Sequence, residues 1–517
     1  MTQGEGGEGA GDRRWAVLAV VSLAQFLTVL DLWVANIALP TLERAFRPSS
    51  LAGVSWILAV YAVFLAALLL PAGRIADRLG WRRCFLAGLM VFGAASLGCA
   101  LAPSLAVLIA CRGIQAAGAA VLMPTSLGLA VSAFPERQRG TAVGVWAAVG
   151  GVAAGSGPVL GGVLVQWSWR LIFVINVPLV ILGIVAGLAV LPRSAGRQTA
   201  RRPDVPGSLL VLSTVGLVCL ALTEAQTWPA AGVLALLAAG LVLGAILVVH
   251  VRHRPDPIIS PRLFTTRRFS AGVAGLVAYY TGFAAILLGC TLMLNQAWHY
   301  SVLETAVAIA PGPLTAAIGS PFSGLVSARI GIRSTIVTGA AFFAAAAAWL
   351  LAVGGRPADY PAILLPSMVL WGLANALIQP SLFAAATAAP RSELASGSAV
   401  LAMSRQVGSA LGVAVLVAVL GSGTARTLPS FAHAWILVLA SAVATGLAGL
   451  ASGTGGQPRG KPAPPGPGRG KLTSPAGSAN SGSPATGHPG GYTENGVAQR
   501  TAPLVNGIWP RDPSVPP

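Results

Sequence analysis

Apolar residues fill this chain in successive blocks of about the length that a helix needs to cross a bilayer core, and short clusters of Arg, Pro, Gly and Asp separate the blocks. Reading each block between its breaks predicts fourteen transmembrane helices, starting near residues 15, 52, 84, 105, 141, 171, 207, 230, 270, 303, 333, 361, 397 and 432. The division of residues 207–251 into two helices rests on the Trp228-Pro229 turn. An even number of crossings returns the chain to the side on which it starts.

Composition sharpens this picture. The 517 residues are 55% hydrophobic and 9% charged, with a mean hydropathy of +0.75, whereas soluble chains carry roughly 25% charged residues. A water-soluble globule is excluded, and an all-α integral membrane protein is expected in its place. The net charge of +18 would suggest a nucleic-acid partner in a soluble chain, but these cations sit in short loops between apolar blocks. The predicted loops on the side of the termini, with the N-terminal segment, hold twenty Lys and Arg against five on the other side (Arg44, Arg47, Arg170, Arg356 and Arg426). The positive-inside rule therefore predicts a multi-pass protein with both termini cytoplasmic. The five cysteines lie in or beside apolar blocks at irregular spacing, so neither a disulfide framework nor a metal site is expected. Arg13 and Arg14 precede the first block, which runs to Pro40 without a clear cleavage site and reads as a retained helix rather than a signal peptide. Residues 453–517 include 27 Pro and Gly among 65 residues and are expected to form a disordered cytoplasmic tail.

An internal repeat organises the spans. The loop after the second span reads GRIADRLGWRR, with Gly73, Arg78, Gly80 and Arg82 at offsets that Gly324, Arg329, Gly331 and Arg333 repeat after the tenth, 251 residues later. Ala328 stands where the first copy has Asp77. Six spans with loops need roughly 200 residues at these helix lengths, so the displacement predicts two six-helix halves with two helices inserted between them. The expected division is a cytoplasmic N-terminal segment (1–14), an N-terminal half (15–191), the inserted pair with flanking loops (192–269), a C-terminal half (270–452) and the tail.

Several motifs together make the sequence resemble the major facilitator superfamily, in its fourteen-span drug:proton antiporter branch, over about residues 15–450. LDLWVANIALP (Leu30 to Pro40) is similar to that branch's LDxTIVNVALP, with Trp33 in the place of Thr. The Gly73 to Arg83 loop matches GxLaDrxGRR, and Arg112, Gln115 and Gly118 match RxxQGxG with Ala116 replacing a Gly. Gly144, Gly157, Pro158, Gly161 and Gly162 follow the antiporter-motif spacing, WRLIFVINVP resembles the loop into the sixth span, and Ser396 to Gly412 keep the branch's order. The resemblance implies a major facilitator fold and a proton-coupled exporter of small drug-like or antibiotic compounds across a bacterial cell membrane. It implies a proton gradient as the energy source and no cofactor, with small-molecule substrate and lipid bilayer, not nucleic acid, as partners. Gly73, Asp77, Arg78, Gly80, Arg82 and Arg83 would form a conformational latch between halves, one-sided because of Ala328. The fifth-span glycines would bend that helix at Gly157-Pro158 and pack it against the second half.

Each feature also has a plainer reading. Small residues let any two membrane helices approach, and an Arg-rich loop is often only a solvated inside loop. Among the acidic residues only Asp31 falls deep inside a predicted span, where a carboxylate is costly and faces a partner or an aqueous cavity. Counting about 1.5 Å per residue from the outer helix ends puts Asp31 and Arg112 at similar depth, roughly 13 and 10 Å, which predicts an interacting pair for proton coupling or a structural ion pair. Trp33, Asn36, Gln115 and Arg405 are candidate substrate-cavity residues. Trp33 can equally pack in lipid or core, and Arg405 can extend to the interface. No phosphate-binding loop of the ATPase type is present, and no set of His, Cys or carboxylates has catalytic or metal-ligand spacing, so no enzyme is expected. An importer or uniporter of the same fold and a non-transporting receptor remain rival readings at this stage.

Overall fold

A computed structural model of the chain describes residues 5–47, 49–135, 138–192, 203–384, 394–421 and 428–452. Fourteen of its helices are long and apolar enough to span a membrane. They are α1 (Arg13–Ala45), α2 (Leu51–Leu79), α3 (Trp81–Ala100), α4 (Leu105–Ala133), α5 (Thr141–Trp167), α6 (Leu171–Val190), α7 (Val205–Thr223), α8 (Ala230–His253), α9 (Arg267–Ala297), α10 (Val302–Ile330), α11 (Ile332–Val353), α12 (Tyr360–Phe383), α13 (Ser396–Leu420) and α14 (Leu428–Ala451). The division at Trp228-Pro229 holds. Helical structure ahead of α1 reaches back to Glu5, so most of the segment expected before the first span continues that helix. The expected tail lies outside the described residues.

In hydrocarbon every backbone polar group must be paired internally, which leaves the helix as the available form for such blocks. Side chains that pair the first free amides mark where several helices begin. Ser50 accepts from the Gly53 amide at 3.2 Å and Asp359 from the Ala362 amide at 3.1 Å. Ser301 and Glu304 form a reciprocal capping box at the start of α10.

The sequence repeat is also a packing repeat. In the N-terminal half α1 packs on α5, α2 on α4, α3 on α4, and α3 on α6; in the C-terminal half α9 packs on α13, α10 on α12, α11 on α12, and α11 on α14. Each pair is the earlier one moved along by eight helices. Gly80 and Gly331, the matching glycines of the two loops, both take positive φ, 98° and 83°, so each loop turns between helices through a conformation that favours glycine. The halves meet chiefly along α2 with α13 and α5 with α10, with α1 touching both α9 and α10.

The inserted helices form a hairpin. α7 lies against both α2 and α13, sharing a small apolar cluster of Ala62, Val63, Cys219, Ala410 and Ala414, while α8 packs mainly on α7 and buries only Gly240. A polar clasp holds the terminal-side end of this hairpin. Asp204, buried at the start of α7, accepts from His250 at 3.0 and 3.1 Å, from the Gly207 amide at 3.1 Å and from the Ile258 amide at 2.8 Å, with Arg254 Nε at 3.4 Å. Burial pushes the Asp204 carboxyl up, but the His250 ring and these two amides outweigh it and hold the carboxyl below its usual range. Next to the clasp, Arg74 near the end of α2 donates to the Asp256 and Pro257 carbonyls at 3.3 and 2.5 Å.

Candidate functional site

α1 carries two chemically different stripes. Successive residues turn by about 100°, so Asp31 and Trp33 project to different sides of the helix. The Asp31 side faces α4 and α6 inside the N-terminal half, and the Trp33 side faces α5 and the C-terminal half.

Asp31 is 2% exposed and Arg112 is fully buried. Arg112 Nη1 lies 2.5 Å from Asp31 Oδ2, and Gln115 Nε2 and Asn176 Nδ2 donate to Asp31 Oδ1 at 2.8 and 3.1 Å. The guanidinium also donates from Nη1 to Gln115 Oε1 at 2.7 Å and from Nε to the Ile57 carbonyl at 3.1 Å, and its carbon stands 4.3 Å from the Tyr61 ring centroid. Ser96 Oγ accepts from Gln115 at 2.8 Å and donates to the Phe92 carbonyl at 2.8 Å. A carboxylate offers about four acceptor sites, and three donors from α4 and α6 fill most of them here. The arrangement suits a charge kept in a dry interior, because each buried ion is met by an opposite charge and by further hydrogen bonds. Gln115, placed by sequence among cavity residues, is a wholly buried bridge between Asp31, Arg112 and Ser96 instead. Spacing alone did not assign Ser96, Tyr61 or Asn176 to this cluster. Asn176 was marked by the WRLIFVINVP motif but without a role, and the physical signal for all three was a polar group within an apolar block, since such groups seek partners in hydrocarbon.

The other stripe of α1 meets the glycines of α5. A Cβ on Gly157 would stand 2.6 Å from Trp33 Cβ, one on Gly161 3.2 Å from Val34 Cα, and one on Gly162 2.9 Å from Ala306 Cβ of α10. Glycine is required at this crossing because α5 is wedged between α1 and α10. Pro158 sits inside the helix without ending it. Towards the terminal-side end the fit loosens: a Cβ on Gly151 would be 4.0 Å from Ala317, and nothing lies within 4 Å of Gly144 or Gly324. The halves are thus closed along α5 and α10 at the end away from the termini and apart at the other. Asn36 Oδ1 adds a bond across the closed region, accepting from Thr291 Oγ1 at 3.2 Å.

Trp33 is 5% exposed and belongs to a cluster of rings from both halves. Its ring centroid is 6.0 Å from Phe283 and 6.4 Å from Trp371; Phe283 is 5.1 Å from Trp371 and 5.2 Å from Tyr280, which is 5.2 Å from Tyr279. Arg405 of α13 is half-buried and holds its guanidinium carbon 5.7 Å from the Tyr280 centroid. Phe283, Trp371, Tyr279 and Tyr280 had no sequence signal, because an aromatic residue in a membrane helix is usually packing.

The segment expected as a loop after the second span is helical on either side of Gly80: Asp77, near the end of α2, is exposed and accepts the Trp81 indole N–H at 2.9 Å, beside the first turn of α3. Arg82 donates to the Leu188 carbonyl of α6 at 2.7 Å, and Arg78 and Arg83 are half-exposed or exposed. Among the described residues Asp77 forms no ion pair to the second half. The bonds of this segment go to its own half and, through Arg74, to the segment after α8.

Comparison with known proteins agrees with this architecture. The Major Facilitator Superfamily model matches residues 21–413. The chain is 32% identical over 416 residues to a multidrug resistance protein of Mycobacterium tuberculosis, covering 80% of this chain and 76% of that protein. It is 33% identical over 456 residues to a puromycin resistance protein of Streptomyces alboniger, covering 84% and 90%, and 34% identical over 408 residues to a methylenomycin A resistance protein of Streptomyces coelicolor, covering 77% and 83%. Among solved structures, a peptide transporter in complex with sulfate aligns over 84% of this chain and 94% of its own with a TM-score of 0.64, and at 18% identity it speaks for the fold alone. With paired six-helix halves, an inserted hairpin and a family match over most of its length, the chain belongs to the major facilitator superfamily and is a multi-pass membrane transporter, not an enzyme.

Proposed function

We propose that this transporter is a proton-coupled exporter of small drug-like or antibiotic compounds in a bacterial cell membrane, and that Asp31 carries the proton. The single observation behind this reading is the carboxylate in the interior of α1, clasped by Arg112, Gln115 and Asn176 and back to back with the stripe on which the halves meet. Protonating Asp31 cancels the charge that Arg112 balances. The guanidinium then has the Ile57 carbonyl, Gln115 and the Tyr61 face as its remaining partners. Because Trp33 lies two residues along the same rigid helix, a shift of α1 on proton binding is felt where Gly157 and Gly161 seat it. Two packings of α1 with α5 would correspond to two accessibilities, as alternating access requires.

The resistance proteins named above support the outward direction. The twenty-to-five cation distribution supports a cytoplasmic terminal-side end, and with it an inward-facing reading of the looser α5–α10 fit there. The test is drug resistance in a sensitive bacterial host that expresses the chain, scored with puromycin and methylenomycin A. Resistance to at least one compound should disappear with an uncoupler and with Asp31→Asn. Resistance that survives both would refute proton coupling through Asp31.

A further inference from the structure

We infer that the ring cluster between the halves binds aromatic compounds that carry an acidic group, a carboxylate or an ionised phenol, and that Arg405 sets this preference. The inference rests on the transporter reading above and adds the chemical class of its substrate.

Three independent observations converge. First, the cluster is built by α1 of one half and α9 and α12 of the other, so a planar molecule that takes the place of the contacts these rings make with one another would touch both moving parts. Second, its polar atoms are mostly open donors. Trp371 Nε1 and Tyr279 Oη are buried and have no hydrogen-bond partner within the protein. An indole N–H can only donate, and leaving it unpaired in a dry interior is costly. Asn375 Oδ1, one turn along α12 from Trp371, is the open acceptor nearby, and it is uncharged. Third, the charge of the region is positive. Asp31, Arg112 and Arg405 are the formal charges that lie away from the ends of the spans. The first two neutralise each other, sealed inside the N-terminal half. Arg405 has no carboxylate within ion-pair distance among the described residues, and its guanidinium is spread beside the Tyr280 ring. An anion entering here gains a charge-assisted partner. A lipophilic cation would gain ring faces but meet a like charge in a medium of low dielectric.

The test uses the purified full-length chain in liposomes with an imposed pH gradient and two dyes on one xanthene frame, fluorescein as the acid and rhodamine 123 as the cation. Vesicle-associated dye is measured after filtration and extraction. The protein should move fluorescein faster than rhodamine 123 by about tenfold or more, the scale on which like-charge placement discriminates. Arg405→Gln should abolish that ratio, Arg405→Lys should retain most of it, and Trp371→Phe, which removes the N–H together with part of the ring surface, should slow fluorescein several-fold. A wild-type preference for rhodamine 123 overturns the inference while leaving the exporter reading intact. An unchanged ratio in Arg405→Gln, or no movement of fluorescein at all, overturns it as well.

Discussion

Removing both members of the Asp31–Arg112 pair should cost far less than the two single removals added together. In Asp31→Asn the guanidinium stays fully buried with Ile57, Gln115 and Tyr61 as partners but no counter-charge. In Arg112→Gln the carboxylate keeps only the Gln115 and Asn176 amides. Breaking a buried pair on one side costs about 3–5 kcal/mol. An independent figure agrees: charges roughly 4 Å apart at an effective dielectric near 20 interact by about 4 kcal/mol. The double variant Asp31→Asn with Arg112→Gln leaves two neutral amides among Gln115, Asn176 and Ser96, so its cost should fall below the sum of the singles by about 4 kcal/mol. A double-mutant cycle on reversible unfolding in bicelles reads this coupling directly. Additivity within about 0.5 kcal/mol, the scatter seen for sites that do not interact, would refute the claim that the two charges stabilise each other.

Other consequences can be measured on the same preparation. Gly162→Val should destabilise the closed α5–α10 contact by about 1–3 kcal/mol, the usual cost of overpacking, and shift the protein towards the alternative conformation; Gly144→Val, with open space around it, should do neither, as spin-label distances across the halves would report. Gly80→Ala and Gly331→Ala should each cost about 1–2 kcal/mol for a left-handed backbone, whereas Gly324→Ala should be silent in thermal unfolding. The carboxyl of Asp204 is held below its usual value, so its clasp contributes stability above pH of about 3.9 and loses it as pH falls through the lower folded value. Asp204→Asn should remove that acid-side dependence, and protection of the α7 start and the Ile258 amide from hydrogen exchange should fall with it.

The sequence by itself determined the span count, the two-half repeat and the inserted pair, since these follow from block length and from the loop offsets of Gly73 to Arg82 and Gly324 to Arg333. It also singled out Asp31, because a carboxylate inside an apolar block is too costly to be incidental. Depth counting brought Arg112 to the same level, but depth along an axis leaves rotation about that axis open. Only the packed bundle decided which faces meet. That is why Gln115 became a bridge to Asp31 and not a cavity wall, why Ser96 and Asn176 joined the cluster from two other helices, and why Trp33 found Phe283 and Trp371 across the divide. In a membrane helix apolar residues lie on every side, so hydrophobic periodicity carries little information about orientation. Close approach at Gly157, Gly161 and Gly162 supplies what periodicity does not, because only one rotation of α5 puts those three glycines against α1 and α10.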